Sequence, residues 1–261
     1  MKNNIVSLIE YTGSGHPDPA KRAACILIFA KSTRLEMKPG LLDEIQSWDK
    51  EKIYNELNYI ANTIPSSWEF VDYTWLVCDV SRAFTHQFVR SRQFSFAQQT
   101  MRVLNVDGWT YEIGPSIQIG EWTEATDEEK KRAIVYNGTM NFIANAYNEL
   151  IALGAEVEDA RGVLPTNIRT NILAKCNLRT FVETVRKRSS PRTQGEYRRV
   201  LEEMKLSVLS VHPWLIAFIN RTKDRATSDL DQLAKKWMAE QKISKAEMLT
   251  AIKLVDQIRG Q

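Results

Sequence analysis

Residues 68–92 read WEFVDYTWLVCDVSRAFTHQFVRSR, and a change of rhythm inside them decides the fold. Trp68 to Val80 is dense in aromatic and β-branched residues, a composition that predicts a strand over 68–80. From Val80 onward the apolar positions become Val80, Ala83, Phe84 and Phe88, with basic and polar residues between them. That spacing predicts a helix over 80–92.

Outward from this pair the chain is mostly helical. Residues 18–31 read as a helix with Asp18 as N-cap and Pro19 in the first turn. Residues 41–63 read as helical with a break near Trp48. The clearest helix runs from Asp127 to Leu153, where Ala133, Val135, Tyr136, Met140, Ile143, Tyr147 and Leu150 follow a 3.6-residue period and Gly154 stops it. A short helix is expected over 156–163 and a strand over 166–176. Helices follow over 177–188 and 193–211, parted by Ser189-Ser190-Pro191. Residues 93–123 carry Gly, Pro and Asn breaks and predict loops with short strands. The charged tail from Thr222 predicts two helices, the second opening after Ser244 with Glu247 as its capping-box partner. Many helices with few strands indicate the α+β class. The expected organisation is a single domain over 1–220 with a helical extension over 221–261.

Composition narrows the chemistry. The 261 residues, 43% hydrophobic and 26% charged, are enough for a sizeable core in one large domain or two small ones. A net charge of +3 gives no global field that would favour nucleic acid. No apolar run is long enough to span a membrane, and the first twenty residues lack the apolar core of a secretory signal. Cys25, Cys78 and Cys176 are odd in number and far apart, which argues against a disulfide framework and fits a reducing cytoplasm. The histidines are His16, His86 and His212, without zinc or facial-triad spacing. Gly13-Ser14-Gly15 lacks the third glycine and the preceding strand of a Rossmann site. No P-loop pattern occurs.

Arginine remains. Arg90, Arg92 and Arg102 form one cluster; Arg161, Arg179, Arg186, Arg188, Arg192 and Arg198 form a second. Guanidinium forks pair with phosphates and stack on flat rings. Gln87, Gln98, Thr100, Asn177 and Gln194 are interleaved with them, neutral groups able to read a base edge or a ribose. Taken singly, most such arginines are solvated helix faces. As two clusters they indicate a binder of an anionic nucleotide.

Two blocks carry a family resemblance. The first is His86-Gln87-Phe88-Val89-Arg90-Ser91-Arg92, followed after seven residues by Thr100-Met101-Arg102. The second is Ala160-Arg161-Gly162-Val163-Leu164-Pro165, then Asn177-Leu178-Arg179, Arg188 and Gln194-Gly195-Glu196, with His212-Pro213-Trp214 closing it. Together they resemble the flavin-dependent thymidylate synthases over residues 66–218. The chain departs from that pattern at Ser91, which stands for the central histidine of the signature. It departs again at Thr100 for serine, and at Ala97-Gln98 for an Asn-Glu pair. No histidine occurs near Ile64-Pro65, where the family has one before the strand.

The resemblance implies helices packed on a small antiparallel sheet. It implies transfer of a one-carbon unit from methylenetetrahydrofolate to C5 of dUMP, with FAD as cofactor, NAD(P)H as reductant and dTMP as product. Gln87, Gln98, Thr100, Arg102, Arg161 and Arg188 would hold the nucleotide; Arg90, Ser91, Arg92, Asn177 and Arg179 would hold FAD. Arg188 would be catalytic, lying against the pyrimidine carbonyls where charge builds up. The family needs no enzyme nucleophile and assembles as homotetramers with shared sites. Two other outcomes stay open: a pyrimidine hydroxymethylase acting on dUMP or dCMP, and a nucleotide-binding paralogue without catalysis.

Overall fold

The computed structural model describes residues 5–32, 37–101, 110–220 and 222–260. Four strands form one antiparallel sheet in the order β1-β2-β4-β3: β1 Val6–Tyr11, β2 Asp72–Ser81, β3 Ser95–Gln98 and β4 Arg169–Asn177. β3 pairs antiparallel with β4, Ser95 opposite Lys175 and Gln98 opposite Ile172. The helices are α1 Pro19–Lys31, α2 Leu41–Ser47, α3 Lys50–Thr63, α4 Arg82–Phe88, α5 Asp127–Ala152 and α6 Val157–Ala160, then α7 Leu178–Arg188, α8 Gly195–Val211, α9 Leu215–Ile219, α10 Thr222–Ala239 and α11 Lys245–Gly260. The α+β expectation is met.

Local chemistry explains the boundaries. Asp18 caps α1 by accepting the Lys21 amide at 2.9 Å, and Asp49 caps α3 through the Lys52 amide at 2.8 Å. The predicted break at Trp48 is the gap between α2 and α3. Thr126 and Glu129 close a capping box on α5, and Gly154 ends that helix at φ 87°, a left-handed conformation that glycine adopts without strain. Ser244 and Glu247 form the expected box on α11.

Two expectations are corrected, and one strand went unread. Residues 65–70 form a 3-10 helix, and the strand occupies Asp72–Ser81 instead of 68–80. Pro65 opens that turn, Ser67 Oγ donates to the Ile64 carbonyl at 2.8 Å, and the buried Trp68 donates to the Ile60 carbonyl at 3.2 Å. The aromatics there signalled burial, not extension. The helix predicted over 80–92 is confined to Arg82–Phe88, so Arg90, Ser91 and Arg92 stand in the turn beyond it. β1 went unread because Val6–Tyr11 buries only Val6 fully and offers little alternation.

The chain packs as two compact units. One comprises Met1–Glu10, Tyr73–Cys176 and Lys187–Ser207; the other Tyr11–Asp72, Asn177–Arg186 and Val208–Gln261. The first unit contains most of the sheet. Beneath α4 its core is a ring cluster: Phe88 meets Phe96 at 4.9 Å, Phe84 at 5.1 Å and Tyr197 at 5.8 Å. Near the end of β2, Asp79 turns at φ 59°; Asn171 Oδ1 accepts its amide, and its carboxylate pairs with Arg169. The second unit is knit by Trp68, Trp214 and Phe218, with His212 stacked on Trp214 at 4.8 Å. Trp214 Nε1 donates to the Ala20 carbonyl at 3.0 Å, so the Pro-Trp segment anchors α1. α10 and α11 pack on each other within the predicted extension.

Candidate active site

In the first unit, Ser81 is where β2 becomes α4. Its Oγ accepts the Phe84 amide at 3.0 Å, capping α4. The Glu196 carboxylate accepts the Ser81 amide at 2.8 Å and its hydroxyl at 2.5 Å. Ser81 is fully buried, so this pair ties the first turn of α8 to the start of α4. The consequence is local alignment. Gln87 Nε2 donates to Gln194 Oε1 at 2.8 Å, and Tyr197 sets its ring edge-on against Phe84.

Tyr197 is the hub of this region. Its ring is 1% exposed. Its hydroxyl lies 3.4 Å from Ser91 Oγ, and the Arg188 guanidinium carbon lies 5.3 Å from the ring centroid. A cation over an aromatic face is held by the ring quadrupole. Burial raises the phenol pKa, and the hydrogen bond from Ser91 and the Arg188 charge partly offset this. Ser91 and Arg188 thus meet at one buried tyrosine, and Gln87 pairs with Gln194 three residues before it in the chain.

Arg161 follows α6, with Nε donating to the Glu158 carbonyl at 3.0 Å. It lines a cavity of about 280 Å³ with Arg82, His86 and Met101. Gln98 is tied to α4 through Thr85 Oγ1 at 3.0 Å. Thr100 is exposed. Arg102, predicted to contact the nucleotide, lies outside the described residues.

The residues expected to hold FAD fall in two sets. Arg90 and Arg92 are exposed in the turn after α4, and among the described residues no carboxylate pairs with either. In the second unit, Asn177 Oδ1 caps α7 by accepting the Thr180 amide at 2.9 Å. Arg179 pairs with Glu69 at 2.7 Å and Glu183 at 3.3 Å. Exposed pairs of this kind are weak and exchangeable. Guanidiniums in a turn with no carboxylate partner among the described residues suit a cofactor diphosphate, so Arg90 and Arg92 fit the charged portion of FAD. Among the described residues no three His, Cys, Asp or Glu side chains gather in a way that could hold a metal ion.

Sequence reasoning missed three participants. Tyr197 was passed over because an aromatic on α8 reads as core; its place directly after Gln-Gly-Glu was the available signal. Glu196 was seen as motif without its task at Ser81. Arg82 was hidden among ordinary helix-face charges.

The comparisons with known proteins agree with this geometry. Residues 7–214 match the family described as thymidylate synthase complementing protein. The chain is 31% identical over 222 residues to a flavin-dependent thymidylate synthase of Clostridium tetani, covering 82% of this chain and 85% of that one. A flavin-dependent thymidylate synthase of Saccharolobus solfataricus is 27% identical over 223 residues, 82% and 75% of the two chains. The fold matches the crystal structure of a UMP/dUMP methylase, PolB, from Streptomyces cacaoi with a TM-score of 0.66, at 18% identity over 82% of this chain and 93% of that one. A match spanning the sheet, the arginine-bearing segments and the closing Pro-Trp places the chain in the thymidylate synthase complementing protein family, a family of one-carbon transferases.

Proposed function

We propose that the protein transfers the one-carbon unit of methylenetetrahydrofolate to C5 of dUMP, forming dTMP. The observation that carries this reading is Arg188, held against the buried Tyr197 ring. C5 of uracil is a weak nucleophile, and attack through it moves negative charge onto the ring carbonyls. A guanidinium held in advance near those oxygens lowers the barrier without reorganising. It cannot serve as a base, because its pKa exceeds about 12. Gln87 and Gln194 present amide donors and acceptors suited to a pyrimidine edge. Arg161 suits the phosphate.

Arg90, Ser91, Arg92, Asn177 and Arg179 are proposed to hold FAD. When bound, the flavin supplies the hydride that completes the methyl group, with NAD(P)H as its reductant. Two further features support a second product. Ser91 replaces an imidazole and Gln98 replaces a carboxylate, and hydroxymethylation, which adds methylene and water, consumes no hydride.

Mass spectrometry of products tests both readings. Purified protein is supplied with labelled methylenetetrahydrofolate and, in turn, dUMP, UMP and dCMP. The ribonucleotide belongs in the panel because the solved fold neighbour is described as a UMP/dUMP methylase. Label in a 5-methyl product from dUMP is expected. Label in a 5-hydroxymethyl product would favour the second reading. No labelled product from any base, with nucleotide bound, would leave a non-catalytic binder.

A further inference from the structure

The second unit holds a cavity of about 420 Å³, and none of the residues assigned to the nucleotide or to FAD lines it. Every lining residue belongs to that unit: α1 and its cap on one side, α3 on the other, and residues 213–216 at the end. α1 packs on α3, and α3 packs on α9. Where α1 meets the space its side chains are Ala20 and Ala24, one turn apart on the same face. These small groups leave a gap that the buried Ile53, Leu57 and Trp214 do not close. Trp214 Nε1 is already taken by the Ala20 carbonyl at 3.0 Å, so the indole offers the cavity apolar surface alone.

The rim is charged. Lys50 lines it at the first turn of α3, exposed and without an ion pair among the described residues. Lys21 lines it from α1, and its Nζ donates to the Trp48 carbonyl at 3.1 Å, a neutral partner that leaves the charge uncancelled. Asp18 is the one lining carboxylate, and its Oδ1 accepts the Lys21 amide at 2.9 Å as the cap of α1. Two ammoniums therefore face one engaged carboxylate. A pocket of this size with an apolar floor and a few polar groups at its edge is the usual form of a small-molecule site. The aliphatic floor rejects a bare anion such as phosphate, and the cationic rim disfavours an apolar cation.

We propose that this cavity binds a medium-chain alkyl carboxylate, with the chain between α1 and α3 and the head at Lys21 and Lys50. The proposal is independent of the nucleotide reading. A bound chain would bridge α1, α3 and α9, so occupancy should raise the Tm by mass action.

Fluorescence titration tests this with four probes: anilinonaphthalene sulfonate as an apolar anionic dye, then decanoate, decanol and decylammonium as competitors. Decanoate is expected to displace the dye more strongly than decanol, with decylammonium weakest. Lys50→Glu alters only an exposed side chain. It should weaken decanoate by about threefold to tenfold, the scale of a surface charge reversed, and leave decanol unchanged. Displacement that does not distinguish decanoate from decylammonium, or a Lys50→Glu protein with unchanged preference, overturns the proposal. Location is read on wild-type protein with a diazirine-bearing decanoate, mapped by mass spectrometry after irradiation. Label should fall on α1, α3 or residues 213–216 and persist in saturating dUMP and FAD. Label elsewhere, or label removed by either nucleotide, also overturns it.

Discussion

The Arg188 guanidinium carbon sits 5.3 Å from the centre of the Tyr197 ring. The ring belongs to a packed cluster with Phe84 and Phe88, so the charge is anchored through the core and not through a flexible surface partner. Arg188→Ala is therefore expected to cut turnover by roughly a hundredfold to a thousandfold, as loss of an electrostatic stabiliser does. Arg188→Lys should recover little, because an ammonium cannot span two acceptors as a planar fork does. Tyr197→Leu, which removes the ring face, should lower kcat by about threefold to thirtyfold, the range of a cation–π contact. Tyr197→Phe retains the face and should lose less. Steady-state kinetics on the four variants decides; a Tyr197→Leu enzyme with unchanged kcat would detach the ring from Arg188.

Arg186 behaves differently from what its spacing suggests. Two residues before Arg188, it reads as a solvated position tolerant of alanine. Its Nη2 instead donates to the Phe218 carbonyl at 2.6 Å, at the end of α9. Arg186→Ala should cost about 1.5–3 kcal/mol, a charged hydrogen bond to a helix-end carbonyl. Thermal unfolding should report a lower Tm, and turnover per folded molecule should persist.

His212 sets a pH limit on stability. It is fully buried, and burial lowers its pKa from 6.5 to about 4, against hydrogen bonds to the Thr12 and Pro19 backbones that act the other way. The folded state keeps the imidazole neutral while the unfolded chain takes up a proton below 6.5. Stability from this residue is thus complete above pH 6.5 and falls as pH drops towards 4, by about 3 kcal/mol in all. Urea midpoints for wild type and His212→Gln at pH 7.5 and 4.5 check this. The gap between the two proteins should narrow at the lower pH.

Flavin content should follow the turn after α4. Protein reconstituted with excess FAD is expected to absorb in the visible, and Arg90→Ala with Arg92→Ala should lose most of that absorbance. Arg188→Ala should keep it. A colourless wild-type protein after reconstitution would remove FAD from the proposal.

α5 leaves Ile134, Val135 and Phe142 at 60%, 69% and 73% exposure. Val135 belongs to the helical pattern that reads as core, so its exposure corrects that reading and leaves an apolar stripe open to a second copy. Light scattering at micromolar concentration should give a homotetramer mass. Phe142→Glu together with Val135→Glu should lower it. A monomer at every concentration would end the shared-site idea.

How much was legible depends on how local the cause is. Caps at Asp18 and Ser244 are written in three or four adjacent residues, and each stands where the sequence places it. The extent of β2 was misjudged because Trp68 is held by the Ile60 carbonyl, a partner that composition cannot name. The site followed the same rule. Arg188, Gln87 and Arg161 were readable as spaced motifs. The Gln87–Gln194 bond spans 107 positions and the Ser91–Tyr197 contact 106, so the groups that complete the cluster emerge only from the fold.

The Ser81–Glu196 pair is a closure across 115 positions. The entropy cost of such a closure rises only slowly with the length of the loop. Segments between the two ends, including the stretch before α5, can therefore lengthen or shorten with little effect on the clamp. Timing is another matter. During synthesis, Gln87 and Tyr197 cannot be aligned until Glu196 has left the ribosome, so a nascent chain reaching only β4 carries the signature arginines without an assembled site.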